Sequence, residues 1–319
     1  MSQIISVPEE RSLELARIID QAKAYADLSK ASNTVRAYRS DWGEFVLWCD
    51  AHRLDSLPAA VETVALYLTA KADSLKVSTL ARRLTAISEA HKLAGFVTPC
   101  EDVRVRTIWK GIRRSNGVAR TEKKPLMTDE LRLLFQQLPD TLQGVRDRAL
   151  ILLGYVGAFR RSELVSLDRF DLSFVQEGIV VRLERSKTDQ EGLGTEKAIP
   201  YGSAPDLCPV RAILAWMSAT PQISGPLFVS IGKGNRLHPD RLSDRAVALI
   251  VKRLVEKVHD RSEYSGHSLR SGFATQAALN GANDRSIMKQ TNHKSRAMVD
   301  RYVRVASLWQ DNAATKLGL

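Results

Sequence analysis

The sequence predicts a mainly α-helical protein, in which a helical bundle is followed by a mixed α domain with one small antiparallel β-sheet, and three observations carry that prediction. The chain has 319 residues, enough for about two domains at roughly 100 to 200 residues each. Apolar residues recur at spacings of three and four along most of its length, the period of an amphipathic helix. Only two short β-branched segments, both beyond residue 175, have the composition and turn-rich flanks of strands. With 44% hydrophobic residues and a mean hydropathy of −0.20, the chain has ample material for packed cores, which excludes a disordered basic tail or a collagen-like rod.

The elements follow in order. Residues 1–12 read as a flexible tail and 13–115 as the helical domain. Ser32 can cap a helix in which Val35, Tyr38, Trp42, Phe45, Val46 and Cys49 form one apolar stripe. Arg36 and Arg39 fall off that stripe and face outward. Val61 to Ala72 predicts a second helix. Val77 or Ser78 through His91 predicts a third, with Leu80, Leu84 and Ile87 inward, Arg82 and Arg83 on the exposed side, and Gly95 as the stop. Ser115 to Pro125 lacks an apolar period, and Pro125 cannot continue a helix, so 116–126 is expected to be an interdomain linker.

The second, mixed domain is expected over 127–304. Thr128, followed by Asp129 and Glu130, is placed to cap its first helix, and Leu150 to Tyr155 is apolar enough for a buried one. Gly178 to Glu184 and Glu196 to Tyr201 predict paired strands, joined by a loop containing Gly192 and Gly194. Helices are expected at Pro209–Ala219, Ser243–Lys257, Ser271–Asn280 and from Ser295 onward. Val305, Leu308, Trp309, Asn312, Ala313, Lys316 and Leu317 then mark an amphipathic tail over 305–319.

Charge points to a polyanion. The chain holds 47 Lys plus Arg against 36 Asp plus Glu, a net +11, and residues 104–124 alone carry Arg104, Arg106, Lys110, Arg113, Arg114, Arg120, Lys123 and Lys124 against Glu122. This basic run lies between the two patterned halves, where it can close on phosphates. No window approaches the roughly 18 apolar residues of a membrane helix, and Met1 to Ser12 lacks the basic-then-apolar order of a signal peptide, so a cytoplasmic protein is expected. Cys49, Cys100 and Cys208 are far apart and odd in number, which argues for buried apolar side chains over disulfides or a zinc knuckle.

Several chemistries have no signature here. There is no G-x-x-x-x-G-K-[ST] loop, so Gly232-Lys233-Gly234 is read as a turn, and no His, Cys, Asp or Glu set has metal-ligand spacing. No cofactor is expected. Phosphoryl chemistry would then need guanidinium groups to clamp nonbridging oxygens, together with a nucleophile, a leaving-group acid and imidazoles on one phosphate.

The second half supplies that inventory in order: Gly157-Ala-Phe-Arg160-Arg161-Ser-Glu163-Leu164, then Arg185-Ser-Lys187-Thr-Asp, then Gly266-His267-Ser-Leu-Arg270, then Asn292-His293, with Tyr302 nine residues beyond His293. In this combination the chain resembles the tyrosine recombinases, the phage integrase family, over essentially its whole length. Its helical first half, with Trp42 and Trp48, resembles the core-binding domain of the simple two-domain Cre-like and Xer-like type.

The resemblance implies the roles. Tyr302 would be the nucleophile, Arg160 and Arg270 the phosphate clamp, and His267 and His293 phosphate ligands or proton shuttles. Lys187 would protonate the leaving 5′-hydroxyl from a β-hairpin, with Lys197 on the next strand as second choice, and Glu163 would orient the site. Arg161 competes with Arg160, but the family's spacing of three residues from arginine to Glu selects Arg160. Where relatives carry glycine two residues before that arginine and one before the second histidine, this chain has Ala158 and Asn292.

The resemblance also implies a clamp around duplex DNA with inverted-repeat sites. Arg36, Arg39, Ser78, Thr79, Arg82, Arg83, Arg113, Arg114, Arg241 and Arg245 are the candidate DNA contacts. The tail is expected to pass to a neighbouring protomer of a homotetramer. Two other functions remain open at this stage, a type IB topoisomerase-like relaxing enzyme and a DNA-binding regulator without catalysis.

Overall fold

The structure is a computed structural model and describes residues 17–18, 21, 32–117, 123–184, 194–221, 224–307 and 317; of 32, 301 and 303–307 it describes the backbone alone. The sequence features at 1–12, Arg120, Lys187, Gly192 and tail residues 308–316 lie outside the described residues. The chain divides into two compact units, residues 1–121 and 122–319. Among the described residues, no helix is long and apolar enough to cross a membrane.

The first unit packs α1 (Ser32–Ala51), α2 (Val61–Lys71), α3 (Val77–Leu93) and α4 (Val103–Ser115) around Phe45, Cys49, Val64, Tyr67, Leu68, Leu80 and Ile87. Phe45 and Trp48 both meet the Tyr67 ring edge-on, with centroids 5.0 and 5.2 Å away, a favourable aromatic geometry. His91 is wholly buried, and its Nε2 accepts from the Ala59 N–H at 2.9 Å while Nδ1 bonds the Ile87 carbonyl at 2.8 Å. That pairing ties the chain before α2 to α3.

Two sequence expectations change in this unit. Half of the basic run is a helix: Val105 and Ile112 are buried seven residues apart on α4, Asp102 caps its start, and Arg104, Arg106, Lys110, Arg113 and Arg114 cover its outer face. Its charge density masked a sparse apolar stripe. Arg83 is not on the exposed side, being only 9% exposed, with Nη1 donating to Tyr67 Oη at 2.5 Å and the guanidinium beside Asp41 and Glu44. It serves the core of the unit, which removes it from the candidate DNA contacts.

In the second unit come α5 (Thr128–Gln136), α6 (Leu142–Val156), α7 (Arg161–Ser166), β1 (Leu172–Val175), β2 (Gly178–Leu183), β3 (Thr195–Pro200) and α8 (Pro209–Ala219). They are followed by β4 (Val229–Ile231), β5 (Leu237–Arg241), α9 (Asp244–Val255), α10 (His267–Leu279), α11 (Asp284–Thr291) and α12 (Arg296–Ser307). The three strands β1-β2-β3 form an antiparallel sheet in which Ile179 pairs with Ile199 and Val181 with Lys197. A mostly buried α6, with Leu150, Ile151 and Leu153, and the Trp216 of α8 centre the core. The segment entering α5 lies on α10: Leu126 N–H donates to Ser268 O at 2.9 Å, and a Cβ on Gly272 would stand 1.9 Å from Leu126 O.

Here too the structure corrects the sequence reading. The unit also holds a second, two-stranded sheet, β4–β5, which the sequence does not signal because β5 is polar and mostly exposed and shows no alternation. Thr128 is the first helical residue rather than the cap; Met127 holds that position, its N–H donating to Glu130 Oε2 at 2.6 Å. The expected helix at Ser271 begins at His267, and α11, whose single deep anchors are Ile287 and Thr291, was not read at all. Arg241 spends its Nη1 on the carbonyls of Val165, Ser166 and Leu167 and its Nη2 on Asp168, so it closes the end of α7 rather than standing free for DNA.

Candidate active site

Two helix ends build the site. In α6 the N–H of Ala158 donates to Tyr155 O and that of Phe159 to Gly154 O, the Schellman pattern, with Ala158 left-handed at φ 47°. In α11 the N–H of Asn292 reaches Lys289 O and that of His293 reaches Met288 O, the same pattern, with Asn292 at φ 50°. These are the two positions where the sequence departs from glycine. The left-handed turn is kept in both.

Each turn throws backbone carbonyls inward at the negative end of a helix dipole, and cations fill them. Arg270, 2% exposed, donates from Nη1 to Ala158 O at 2.7 Å and from Nη2 to Thr291 O. Arg160 Nη2 lies 3.5 Å from Asn292 O. Lys197 donates from Nζ to Gly157 O at 2.7 Å and to Gln290 O at 2.6 Å. Burial, then repulsion from Arg160, lowers Arg270 to a pKa of about 10, so it stays charged at neutral pH.

Glu163, 3% exposed, is the carboxylate among these cations. Its Oε2 accepts from the Arg160 backbone N–H at 2.9 Å and its Oε1 from Arg160 Nη1 at 2.5 Å. The three-residue spacing therefore has a local cause: Arg160 is the N-cap of α7, and a carboxylate at the third helical position reaches back to the cap. Arg161 turns the other way, across Gly266, with its guanidinium 3.9 Å from Asp244.

The histidines and the tyrosine meet over this floor. Tyr302 sits on α12, which docks through Val299 against Ala274 of α10 and Ile287 of α11. His267 Nε2 is 3.2 Å from Tyr302 Oη, and the His293 ring stacks on the Tyr302 ring with centroids 6.1 Å apart. Thr291 Oγ1 lies 2.7 Å from Ile287 O and 2.9 Å from His293 Nδ1, and this contact orients the imidazole. Burial and the Arg270 and Arg160 charges hold His267 below the ordinary histidine range and bring His293 down to about 4. Both imidazoles are neutral at pH 7, and an open cleft of about 1240 Å³, with Asp284, Arg285, Lys289, Lys294 and Arg296 in its wall, borders the site at His293.

The structure thus brings together Arg160, Glu163, His267, Arg270, His293 and Tyr302. Lys187 lies outside the described residues. Lys197 faces two backbone carbonyls instead of the cleft, which removes it as the second choice for the leaving-group acid. Sequence reasoning missed Thr291 as the residue orienting His293. The buried place of Lys197 was legible: Lys197 and Ile199 alternate on the inner face of β3. Of the candidate DNA contacts, Arg36, Arg39, Ser78, Arg113, Arg114 and Arg245 are exposed, Thr79 is half-buried, and Arg82 is exposed while its guanidinium pairs with Asp41 at 2.5 and 3.1 Å. Among the described residues, no group of three His, Cys, Asp or Glu is arranged to hold a metal.

Known proteins share this sequence and fold. The phage integrase family profile matches residues 124–308. An integrase/recombinase xerD homolog of Selenomonas ruminantium is 42% identical over 94% of this chain and 90% of its own length, and the recombinase cre of Escherichia phage P1 is 26% identical over 81% and 79%. Among solved structures, a lambda integrase (75–356) dimer bound to a core site superposes with a TM-score of 0.58 at 18% identity, covering 90% of this chain and 93% of that one. XerH recombinase in a post-cleavage complex with its difH substrate reaches 0.58 at 16% identity, covering 80% and 72%. With the family profile matching more than half of its length and a relative 42% identical over nearly all of it, the chain belongs to the phage integrase family, the tyrosine recombinases.

Proposed function

We propose that this protein is a site-specific DNA recombinase in which Tyr302 cleaves and rejoins duplex DNA through a 3′-phosphotyrosyl intermediate. The observation that carries the reading is the 3.2 Å contact of Tyr302 Oη with a neutral His267 above the Arg160–Arg270 floor. Tyr302 Oη attacks phosphorus and its proton passes to His267 Nε2. The bond to the 5′-oxygen breaks, and Lys187 supplies the proton that oxygen takes up. Arg160 and Arg270 stabilise the charge that develops on the nonbridging oxygens, and they are already held by carbonyls and Glu163, so little reorganisation accompanies the step. His293, oriented by Thr291, lies beside Tyr302 as a neutral imidazole that bonds the phosphate.

One phosphate ester replaces another, so bond energy is conserved and the reverse attack by a 5′-hydroxyl of a partner strand needs neither ATP nor a metal. The exposed Arg36, Arg39, Ser78, Arg113, Arg114 and Arg245, with Thr79 and Arg82, contact the DNA, and the protein acts in the cytoplasm on inverted-repeat sites. Four copies assemble on two duplexes, each passing its tail to a neighbour; removal of residues 306–319 then impairs synapsis more than single-site binding, and unchanged recombination would contradict this.

The reaction is tested with a pool of random-sequence duplexes, each carrying a nick that lets the cleaved end diffuse away. Wild-type protein captures its site as a covalent adduct, and Tyr302→Phe captures none while still binding the recovered duplex. Absence of any adduct with wild type refutes the reading.

A further inference from the structure

Lys197 is a fully buried lysine that the reaction above does not use. It stands at 2% exposure on β3, with Nζ 4.7 Å from the centre of the Phe159 ring, and the surrounding protein lowers its pKa to about 7. Burying an amine beside Arg160, Arg270 and His293, with Glu163 alone to oppose them among the described residues, is costly, so its retention needs a reason.

The hydrogen bonds give one. Two backbone walls face each other, the turn after α6 and the turn after α11, and successive rungs cross between them. Gln290 Nε2 reaches Val156 O at 2.9 Å; Lys197 Nζ joins Gly157 O to Gln290 O; Arg270 joins Ala158 O to Thr291 O. On each wall the Lys197 rung is one residue behind the Arg270 rung. Arg160 follows two residues after Ala158, and its guanidinium reaches Asn292 O on the opposite wall. The Lys197 amine and both guanidinium groups thus span the same two walls.

We infer that Lys197 is a positioning residue for phosphate recognition, drawing the Gly157 and Gln290 carbonyls together so that Arg160 and Arg270 are held at the spacing of one scissile phosphate. The inference rests on the reading of those two arginines as the phosphate clamp. Loss of the amine leaves two inward carbonyls without a donor, and the walls separate or admit water. The effect is on transition-state charge rather than on DNA affinity, which many phosphate contacts outside the site supply.

The test uses full-length Lys197→Met and Lys197→Arg and the nicked duplex recovered by wild-type capture, made with either an ordinary phosphate or a neutral methylphosphonate at the scissile position. On the ordinary phosphate, single-turnover adduct formation at saturating protein falls about 100-fold in Lys197→Met, the size of a 1 Å misplacement, while DNA affinity changes less than about threefold. On the methylphosphonate, which develops less charge and leans less on the clamp, the defect shrinks to within about tenfold. Lys197→Arg, which keeps a cation and its donors, shows the same narrowing from a smaller starting defect, and decides the matter alone if Lys197→Met does not fold. Cleavage within about threefold of wild type, or equal defects on both substrates, overturns the inference. Failure of wild type itself to form the adduct would instead refute the recombinase reading.

Discussion

Replacing Glu163 by Gln changes one oxygen to an amide nitrogen at the centre of the site. The carboxylate accepts two hydrogen bonds from Arg160, at 2.9 Å from the backbone N–H and 2.5 Å from Nη1, and is 3% exposed. An amide can keep one of these; the other becomes a donor facing a donor. A neutral bond is worth about 1 kcal/mol and one to a charged group about 1.5–3 kcal/mol, so the substitution costs roughly 3 kcal/mol, at the lower edge of the range for breaking a buried ion pair. For a unit of about 200 residues, spanning Glu122 to Leu319, that lowers its melting temperature by roughly 6–12 °C. Differential scanning calorimetry of the full chain resolves the shift. The same variant cleaves about 100-fold more slowly, because Arg160 loses the brace that fixes its guanidinium. Melting within about 2 °C of wild type, with cleavage unchanged, would refute the reasoning.

Other outcomes follow from the same structure. His293 has a folded-state pKa of about 4, below the ordinary histidine value, so the folded protein binds fewer protons than the unfolded chain. Its contribution is fully present above about pH 6.5 and is lost as pH falls toward 4. The stability difference between wild type and His293→Gln, measured by urea unfolding, accordingly shifts in favour of the variant across that interval; a constant difference would count against it. In the first unit, Arg83→Met removes the donor to Tyr67 Oη and the cation beside Asp41, and lowers that unit's stability by about 2 kcal/mol. Exposed Arg39→Ala leaves melting within about 0.5 kcal/mol. It weakens DNA binding and reduces the salt dependence by about one ion, as a filter-binding titration would record.

Much of the site was legible because its residues are short-range motifs. Arg160 and Glu163 are three apart since one carboxylate serves both the cap and the guanidinium, and His267 and Arg270 are three apart on one face of the first turn of α10. The helices with dense apolar stripes, α1, α3, α6 and α8, were legible for the same reason. What escaped were segments whose pattern is sparse or overlaid by charge. In α4 two buried residues are hidden among five basic ones, and in α11 only Ile287 and Thr291 are deep. Arg83 was misplaced because helical periodicity says which residues share a face and not how far a neighbouring helix extends to cover it.

By itself the sequence determined the family and the mainly helical architecture and nominated the candidate site residues, since each is written in residue types at fixed local spacing. Only the tertiary structure decided how those groups are held. Ala158 and Asn292 keep left-handed turns without glycine because the Schellman bonds of α6 and α11 fix them. Lys197 and Arg270 find their carbonyl partners on two helix ends that meet about 130 residues apart in sequence. Hydrogen bonding to backbone carbonyls carries no residue signature, so the partners of Lys197 and Arg270 became visible only once those two turns stood opposite each other.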